Sequence, residues 1–247
     1  MPLQSLRLAI LDADILRPEL RPGFGSYGRM FRDLFARLGV DWHIQVYSAI
    51  RGERPASLDA FDAVLVTGSR YDAFADVPWI RNLRAFCRQC YAAEKPQVGI
   101  CFGHQLLAHA LGGRAERAHN GWGLGVMRFR IEDRTGFIEA DTPIDLLVSH
   151  RDQVTALPPG ARLLLANDFC PYGGFHIPGR VLCLQGHPEF DNDYESALLA
   201  HRENDVDPEQ MRRIKDSLGT PHQGLRAGRW IQRFLETAID GGAQSSL

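Results

Sequence analysis

The feature that most constrains this chain is Gly99-Ile100-Cys101-Phe102-Gly103-His104-Gln105. The apolar run Val98-Gly99-Ile100 leads into one cysteine, with glycines two residues before and two after it. A helix-like stretch, Gln105 to Leu111, follows and stops at Gly112-Gly113. The pattern predicts a strand, a sharp turn and a helix, with a thiol at the turn. It is the cysteine form of the G-x-S-x-G nucleophile elbow. Such a turn is cramped, and a Cβ at either glycine would collide with the neighbouring strand or helix. The turn lifts the sulfur above the sheet edge. It also aims the first backbone N–H groups of the helix at whatever the sulfur attacks, and a helix N-terminus favours the thiolate. A cysteine before a helix can equally be a small buried residue, so the rest of the chain decides between the two.

The first half alternates strands and helices. Leu6 to Asp12 reads as a buried strand. Tyr27 to Leu38 carries apolar residues at Tyr27, Met30, Phe31, Leu34, Phe35 and Leu38, a helical spacing stopped by Gly39. Trp42 to Tyr47 alternates as a second strand, and Ala63 to Val66 is a third, ending at Thr67-Gly68-Ser69. Pro78 to Tyr91 is a helix with proline in its first turn. Val98 to Ile100 is the fourth strand. This order predicts an α/β fold, a mostly parallel central sheet with flanking helices. Active sites in such sheets lie at the carboxyl ends of the strands, where Gly68, Ser69 and Cys101 fall. After Gly113 the rhythm changes to short strands, at 125–131, 144–149, 162–166, 174–177 and 181–185, which predict small antiparallel additions. Helices return at 194–203, 208–218 and 228–239, and residues 241–247 read as a frayed tail. No linker or repeat interrupts the 247 residues, so one domain is expected over 1–247, with a core at about 6–190 and C-terminal helices at 191–240.

Composition excludes several classes. A net charge of −2 argues against a nucleic-acid binder. No apolar stretch approaches the length of a membrane span, and Met1 to Arg7 lacks the layout of a signal peptide. The five cysteines suggest free thiols in a reducing compartment, so a cytoplasmic location is expected. The two lysines, Lys95 and Lys215, do not follow glycine, which rules out a phosphate loop. Gly121-Trp122-Gly123-Leu124-Gly125 leads into an alternating strand and is no dinucleotide fingerprint.

Val181 to Gln185 is a second apolar run, ending at Gly186-His187-Pro188-Glu189. In an extended segment His187 and Glu189 point to the same side. The carboxylate can then accept a hydrogen bond from one imidazole nitrogen and leave the other to face a thiol. That is the nucleophile–base–orienter arrangement with Cys, His and Glu.

With both segments in view, the chain resembles the class I (triad) glutamine amidotransferases, a flavodoxin-like α/β family, over about residues 6–190. Thr67-Gly68-Ser69 fits the loop that supplies an oxyanion-hole N–H in that family, and Ser149-His150-Arg151-Asp152-Gln153-Val154 resembles its S-H-x-D-x-V segment. The resemblance implies Cys101 as nucleophile, His187 as general base and then acid, and Glu189 as its orienter. It implies an oxyanion hole from the N–H groups of Phe102 and Ser69, with Gly68 in the same loop. Gln105, Ser149, His150, Arg151 and Asp152 are expected near the glutamyl moiety. The chemistry needs no metal and no cofactor.

One departure matters. Many members carry Gly-Gly-Pro in the oxyanion loop, whereas this chain reads Gly68-Ser69-Arg70-Tyr71-Asp72-Ala73-Phe74. With Trp79-Ile80, this resembles the stand-alone branch that includes plant γ-glutamyl peptidases, which act on glutathione-type substrates. The expected reaction is therefore hydrolysis of glutamine, with γ-glutamyl peptides or related compounds as the alternative substrate. As a transferase the protein would need a separate synthase to accept ammonia; as a hydrolase it would need only its small-molecule substrate. A catalytically silent binding module is the remaining alternative. Cys87 and Cys90 form one C-x-x-C inside a predicted helix and read as packing. His104 and His109 read as packed or surface residues, and Trp122 as a pocket wall or ordinary loop packing.

Overall fold

The computed structural model describes residues 5–139 and 142–244. After its first residue, every position of β1 (Arg7–Asp12) is buried. Side chains alternate between the two faces of a strand. Leu8 and Ile10 therefore join one core cluster, and Ala9 and Leu11 another. This two-sided burial requires helices on both faces. A short α1 (Arg21–Phe24) precedes α2 (Tyr27–Leu38). Ser26 caps α2, its Oγ accepting from the Arg29 N–H at 3.2 Å, and Gly39 ends it with φ +73°, a conformation cheap only for glycine.

Then come β2 (His43–Ser48), β3 (Ala63–Val66), α3 (Pro78–Ala92), β4 (Gln97–Ile100) and α4 (Phe102–Ala110). The second half holds β5 (Arg114–Arg117), β6 (Gly123–Ile131), β7 (Ile144–His150), β8 (Asp152–Ala156), β9 (Arg162–Ala166), β10 (Gly174–Ile177) and β11 (Val181–Leu184). Helices α5 (Asn192–Ala200), α6 (Pro208–Ser217) and α7 (Gly224–Gln244) close the chain.

Nine strands form one sheet in the order β2-β1-β3-β4-β11-β10-β9-β6-β7. Pairing is parallel from β2 through β11 and antiparallel beyond it. The antiparallel strands thus extend the main sheet rather than forming a separate layer. Among the described residues, only β5 and β8 pair apart from it. Phe31, Phe35 and Trp230 fill the core on the α2–α7 face, and Phe61, Phe86 and Phe175 fill it on the α3–α4 face. Full burial of a residue of this size stabilises the fold by about 1.5–3 kcal/mol.

Most expected elements appear within a few residues of their expected bounds. The expected tail is a difference: α7 continues through Gly241 to Gln244. Each residue added to an anchored helix gains a backbone hydrogen bond without a new nucleation cost. Ser245–Leu247 of that tail, and Met1–Gln4 of the N-terminal segment, lie outside the described residues.

Candidate active site

Strand β4 runs parallel to β11, with Ile100 opposite Leu184. Cys101 follows directly, its N–H donating to the Leu184 carbonyl at 2.8 Å. His187 lies three residues past Leu184, so neighbouring strand ends present both side chains. The His187 N–H donates to Leu147 of β7 at 2.8 Å, which ties this loop to the antiparallel half.

Cys101 adopts φ +51° and ψ −102°. Positive φ in a non-glycine residue costs of order 1–3 kcal/mol and persists only where its surroundings enforce it. Here both flanking glycines are required. A Cβ on Gly99 would come within 2.5 Å of the Gly103 carbonyl oxygen, and one on Gly103 would overlap the Val66 carbonyl oxygen. The Gly103 N–H donates to Thr67 O at 3.2 Å and locks the elbow against the β3 loop. Among the described residues, the N–H groups of Phe102 and Ser69 have no protein acceptor. The Cys101 thiol is 4.0 Å from the Ser149 carbonyl oxygen.

His187 and Glu189 are both buried, with Nδ1 2.8 Å from Glu189 Oε1. Burial opposes charge on the imidazole, but the Glu189 carboxylate and the Cys101 sulfur outweigh it and pull the His187 pKa up to about 10. With Nδ1 taken by Glu189, Nε2 is left to face Cys101.

Two cavities meet at Cys101. One, of about 190 Å³, is lined by Gln105, Ser149, His150, Arg151 and Asp152, together with Trp122 and Arg117. All five residues expected around the glutamyl moiety thus come together. Gln105 Nε2 donates to Asp152 O at 2.8 Å and to Gln185 Oε1 at 3.1 Å. His150 Nδ1 donates to Asp152 O at 3.0 Å, and burial pushes this histidine down to about 4, so it is neutral. Burial, reinforced by Asp72, lifts the Asp152 carboxyl to about 6 against the pull of Arg117, whose Nε lies 2.5 Å from Asp152 Oδ1.

The other cavity, of about 60 Å³, lies on the His187 side. Its walls include Tyr27, Phe190 and Tyr194, with Asp14, Arg17 and Arg70. Arg202 borders both cavities and stacks over Trp122 at 3.8 Å. Sequence reasoning missed this second wall. Its residues come from distant segments, and of those named only Phe190, adjacent to Glu189, and Arg70, adjacent to Ser69, stood beside a recognised motif. Cys87 and Cys90 are packed in the core, and all five cysteines are free and buried. Among the described residues, no group of three or more His, Cys, Asp or Glu side chains could hold a metal ion. No helix among them is long and apolar enough to cross a membrane.

A mixed α/β sheet thus carries a cysteine elbow at one strand end and a His–Glu pair at the next. The model of the family "Glutamine amidotransferase class-I" matches residues 23–202, and the chain belongs to that family. It is 31% identical to Gamma-glutamyl peptidase 3 of Arabidopsis thaliana over 198 residues, 76% of this chain and 77% of that protein. Gamma-glutamyl peptidase 5 of the same plant is 33% identical over 203 residues, 77% of this chain and 78% of that protein. A glutamine amidotransferase from Thermotoga maritima superposes with a TM-score of 0.76 at 19% identity, covering 94% of this chain and 99% of that one, and shares the fold.

Proposed function

We propose that this enzyme hydrolyses a γ-glutamyl amide through a γ-glutamyl thioester on Cys101. The observation that carries this reading is the parallel pairing of β3, β4 and β11, which brings a strained cysteine, two unpaired N–H groups and a buried His–Glu pair to adjacent strand ends.

In the first step the Cys101 thiolate adds to the γ-carbonyl carbon. The oxygen becomes an oxyanion held by the N–H groups of Phe102 and Ser69, in the loop begun by Gly68. Each such donor contributes about 2.7–4 kcal/mol to transition-state stabilisation. Imidazolium His187 gives its Nε2 proton to the leaving nitrogen, the C–N bond breaks, and the amine departs. Neutral His187 then takes a proton from water, and the hydroxide adds to the thioester carbonyl. Collapse breaks the C–S bond, releases the carboxylic acid and restores the thiolate–imidazolium pair. Glu189 holds Nδ1 throughout.

The larger cavity supports recognition of the glutamyl end. A free α-ammonium and α-carboxylate need both signs of charge, and Asp152, Asp72, Arg117 and Arg151 supply them around neutral His150. Glutamine, with ammonia leaving, suits the smaller second cavity. Release would then serve a separate ammonia acceptor. A second reading, γ-glutamyl peptide hydrolysis, is favoured by Arg17, Arg70 and Arg202 around that cavity, which suit a carboxylate on the leaving group, and by the names of the Arabidopsis relatives. We read residues 1–247 as one domain. The five free cysteines support a reducing, cytoplasmic setting.

The test is incubation of the purified protein with glutamine and with γ-glutamylglycine, followed by mass spectrometry of the protein and assay of the released amine. A γ-glutamyl adduct on Cys101, lost in Cys101→Ala, is the expected result. Turnover without any dependence on Cys101 would sink the reading. The released amine separates ammonia from glycine.

A further inference from the structure

The chemistry proposed above asks His187 to hold one orientation while carrying a positive charge, and Glu189 restrains only Nδ1. Two other contacts bound the ring. The ring of Phe190 lies flat against the imidazole, with centroids 3.8 Å apart and planes 12° apart. A Cβ on Gly68 would sit 2.8 Å from Cε1 and an equal 3.7 Å from each ring nitrogen. Those equal distances mean that Gly68 meets the ring edge-on, along its Cε1–H bond. One face, one edge and one nitrogen are therefore occupied, and Nε2 is left toward Cys101.

We propose that Phe190 is a positioning residue for His187, whose ring both fixes the imidazole plane and stabilises the imidazolium through its π face. The inference rests on the reading of His187 as the proton carrier. A cation over the face of an aromatic ring, within about 6 Å of its centroid, is attracted by the ring quadrupole, and more strongly when water is excluded. Both rings are buried. Phe190 is itself braced. Tyr27 of α2 stacks on it at 5.6 Å, and Tyr194 of α5 meets it edge-on at 4.5 Å. The two tyrosines are joined by a 3.0 Å hydrogen bond between their hydroxyls. Asp191 Oδ1 accepts from the Tyr194 N–H at 2.8 Å and caps the helix that carries this brace. The aromatic wall thus holds Phe190 against the imidazole, and Phe190 acts through His187 rather than on the scissile bond.

Several other groups face His187 or share its cavity. Cys101 and Glu189 contact it directly, His150 approaches from β7, Tyr27 from α2, and Tyr194 and Glu195 from α5. Asp14, Arg70 and Arg202 line the adjoining space. Burial lifts Glu195 to about 7, so it titrates within the alkylation profile, whereas His150, lowered to about 4, stays neutral through it. The test must therefore change the electron density of the Phe190 ring and nothing else.

Replacement of Phe190 by mono-, di- and trifluorophenylalanine does this, because fluorine weakens the π face and keeps the shape. The first readout is the rate of Cys101 alkylation by iodoacetamide across pH, which needs no substrate. The expected result is an alkaline inflection of the alkylation profile, marking loss of the His187 proton, that moves to lower pH with each fluorine, and an imidazolium of His187 that deprotonates at progressively lower pH by NMR. Phe190→Leu should move that inflection down by about one pH unit, a tenfold weaker hold on the proton, and Phe190→Tyr should restore it. An inflection that stays in place through the fluorine series would overturn the proposal, even if Phe190→Leu were inactive, because apolar packing alone would then explain that loss. A stepwise shift in a protein that turns over neither glutamine nor γ-glutamylglycine would uphold the role of Phe190 and refute the proposed reaction instead.

Discussion

The two cavities that meet at Cys101 are built on opposite plans. On the glutamyl side the polar groups are tied to one another before any substrate arrives: Gln105 to Asp152 and Gln185, His150 to Asp152, and Asp152 to Arg117. On the His187 side the fixed parts are aromatic rings and the buried Asp14 carboxylate, and the positive charges sit on long side chains. Arg17 is exposed, and Arg70 keeps nearly half of its side chain in solvent while pairing with buried Asp14. A preset wall suits a constant group, because binding then costs little reorganisation. An adaptable wall suits a group that varies. The contrast teaches that this site, as we read it, is specific for γ-glutamyl and permissive in what leaves.

The largest effect is expected where the two sides join. Cys101→Ala should lower turnover of every γ-glutamyl compound by a factor of about 10³ or more, with the melting temperature nearly unchanged, since alanine keeps the Cβ and the backbone conformation of that position. Residual turnover above a tenth of the parent's would break the comparison at its root. Gly68→Ala comes next. Its methyl group would push on Cε1 of His187, and a misplacement of that kind costs about 10²-fold in kcat. Steady-state kinetics with glutamine would read it; a change in KM alone would place the damage outside the proton path.

Much of this was legible in the sequence, for physical reasons. The limits of α2, β3, β9 and β10 follow from apolar periodicity closed by turn residues, as Gly39 closes α2. Cys101, His187 and Glu189 were legible because each sits in a local pattern, a glycine-framed turn or a strand end with side chains at i and i+2. Strands β5 and β8 were not. Arg114–Arg117 buries a single residue, Ala115, and so shows no period, and its only strand partner is β8. The wall on the His187 side was also hidden. Tyr27 looked like an ordinary position on the apolar face of α2, and Arg17 and Arg202 lie outside any helix or strand. Only the strand order brings them together.

Substrate selectivity sharpens the comparison further. Asp152→Asn should weaken kcat/KM for glutamine, γ-glutamylglycine and γ-glutamylethylamide alike, about tenfold, because all three present the same glutamyl end. Arg202→Gln should instead change the ratio between the last two. These differ by a carboxylate on the leaving group, and a charge-assisted hydrogen bond to it is worth about 1.5–3 kcal/mol. The expected ratio shift is therefore about ten- to a hundredfold, read in competition assays. If Asp152→Asn altered the ratio and Arg202→Gln did not, the two sides would have to be exchanged.

The smallest effect separates the histidines of the two sides by stability. Burial lowers His150 to about 4 and His104 to about 3, both below the usual 6.5. Between pH 6.5 and 4 the unfolded chain takes up protons that these folded sites refuse. Each histidine therefore lowers stability as pH falls through this window, by at most about 1.4 kcal/mol per pH unit, while Glu195, raised to about 7, and Asp152, raised to about 6, act in the opposite sense. His187 also behaves in the opposite sense to His150 and His104. Its pKa is raised to about 10, so its stabilising contribution is complete below pH 6.5 and is lost as pH rises through 10. Urea unfolding at a series of pH values reads both arms. His150→Asn keeps a donor for the Asp152 carbonyl and removes one titrating group, so between pH 4 and 6.5 the slope of stability against pH should become less positive by up to about 1.4 kcal/mol per pH unit. An unchanged slope would mean that His150 is protonated in the folded protein, and the glutamyl cavity would then carry a charge that our reading of its chemistry leaves out.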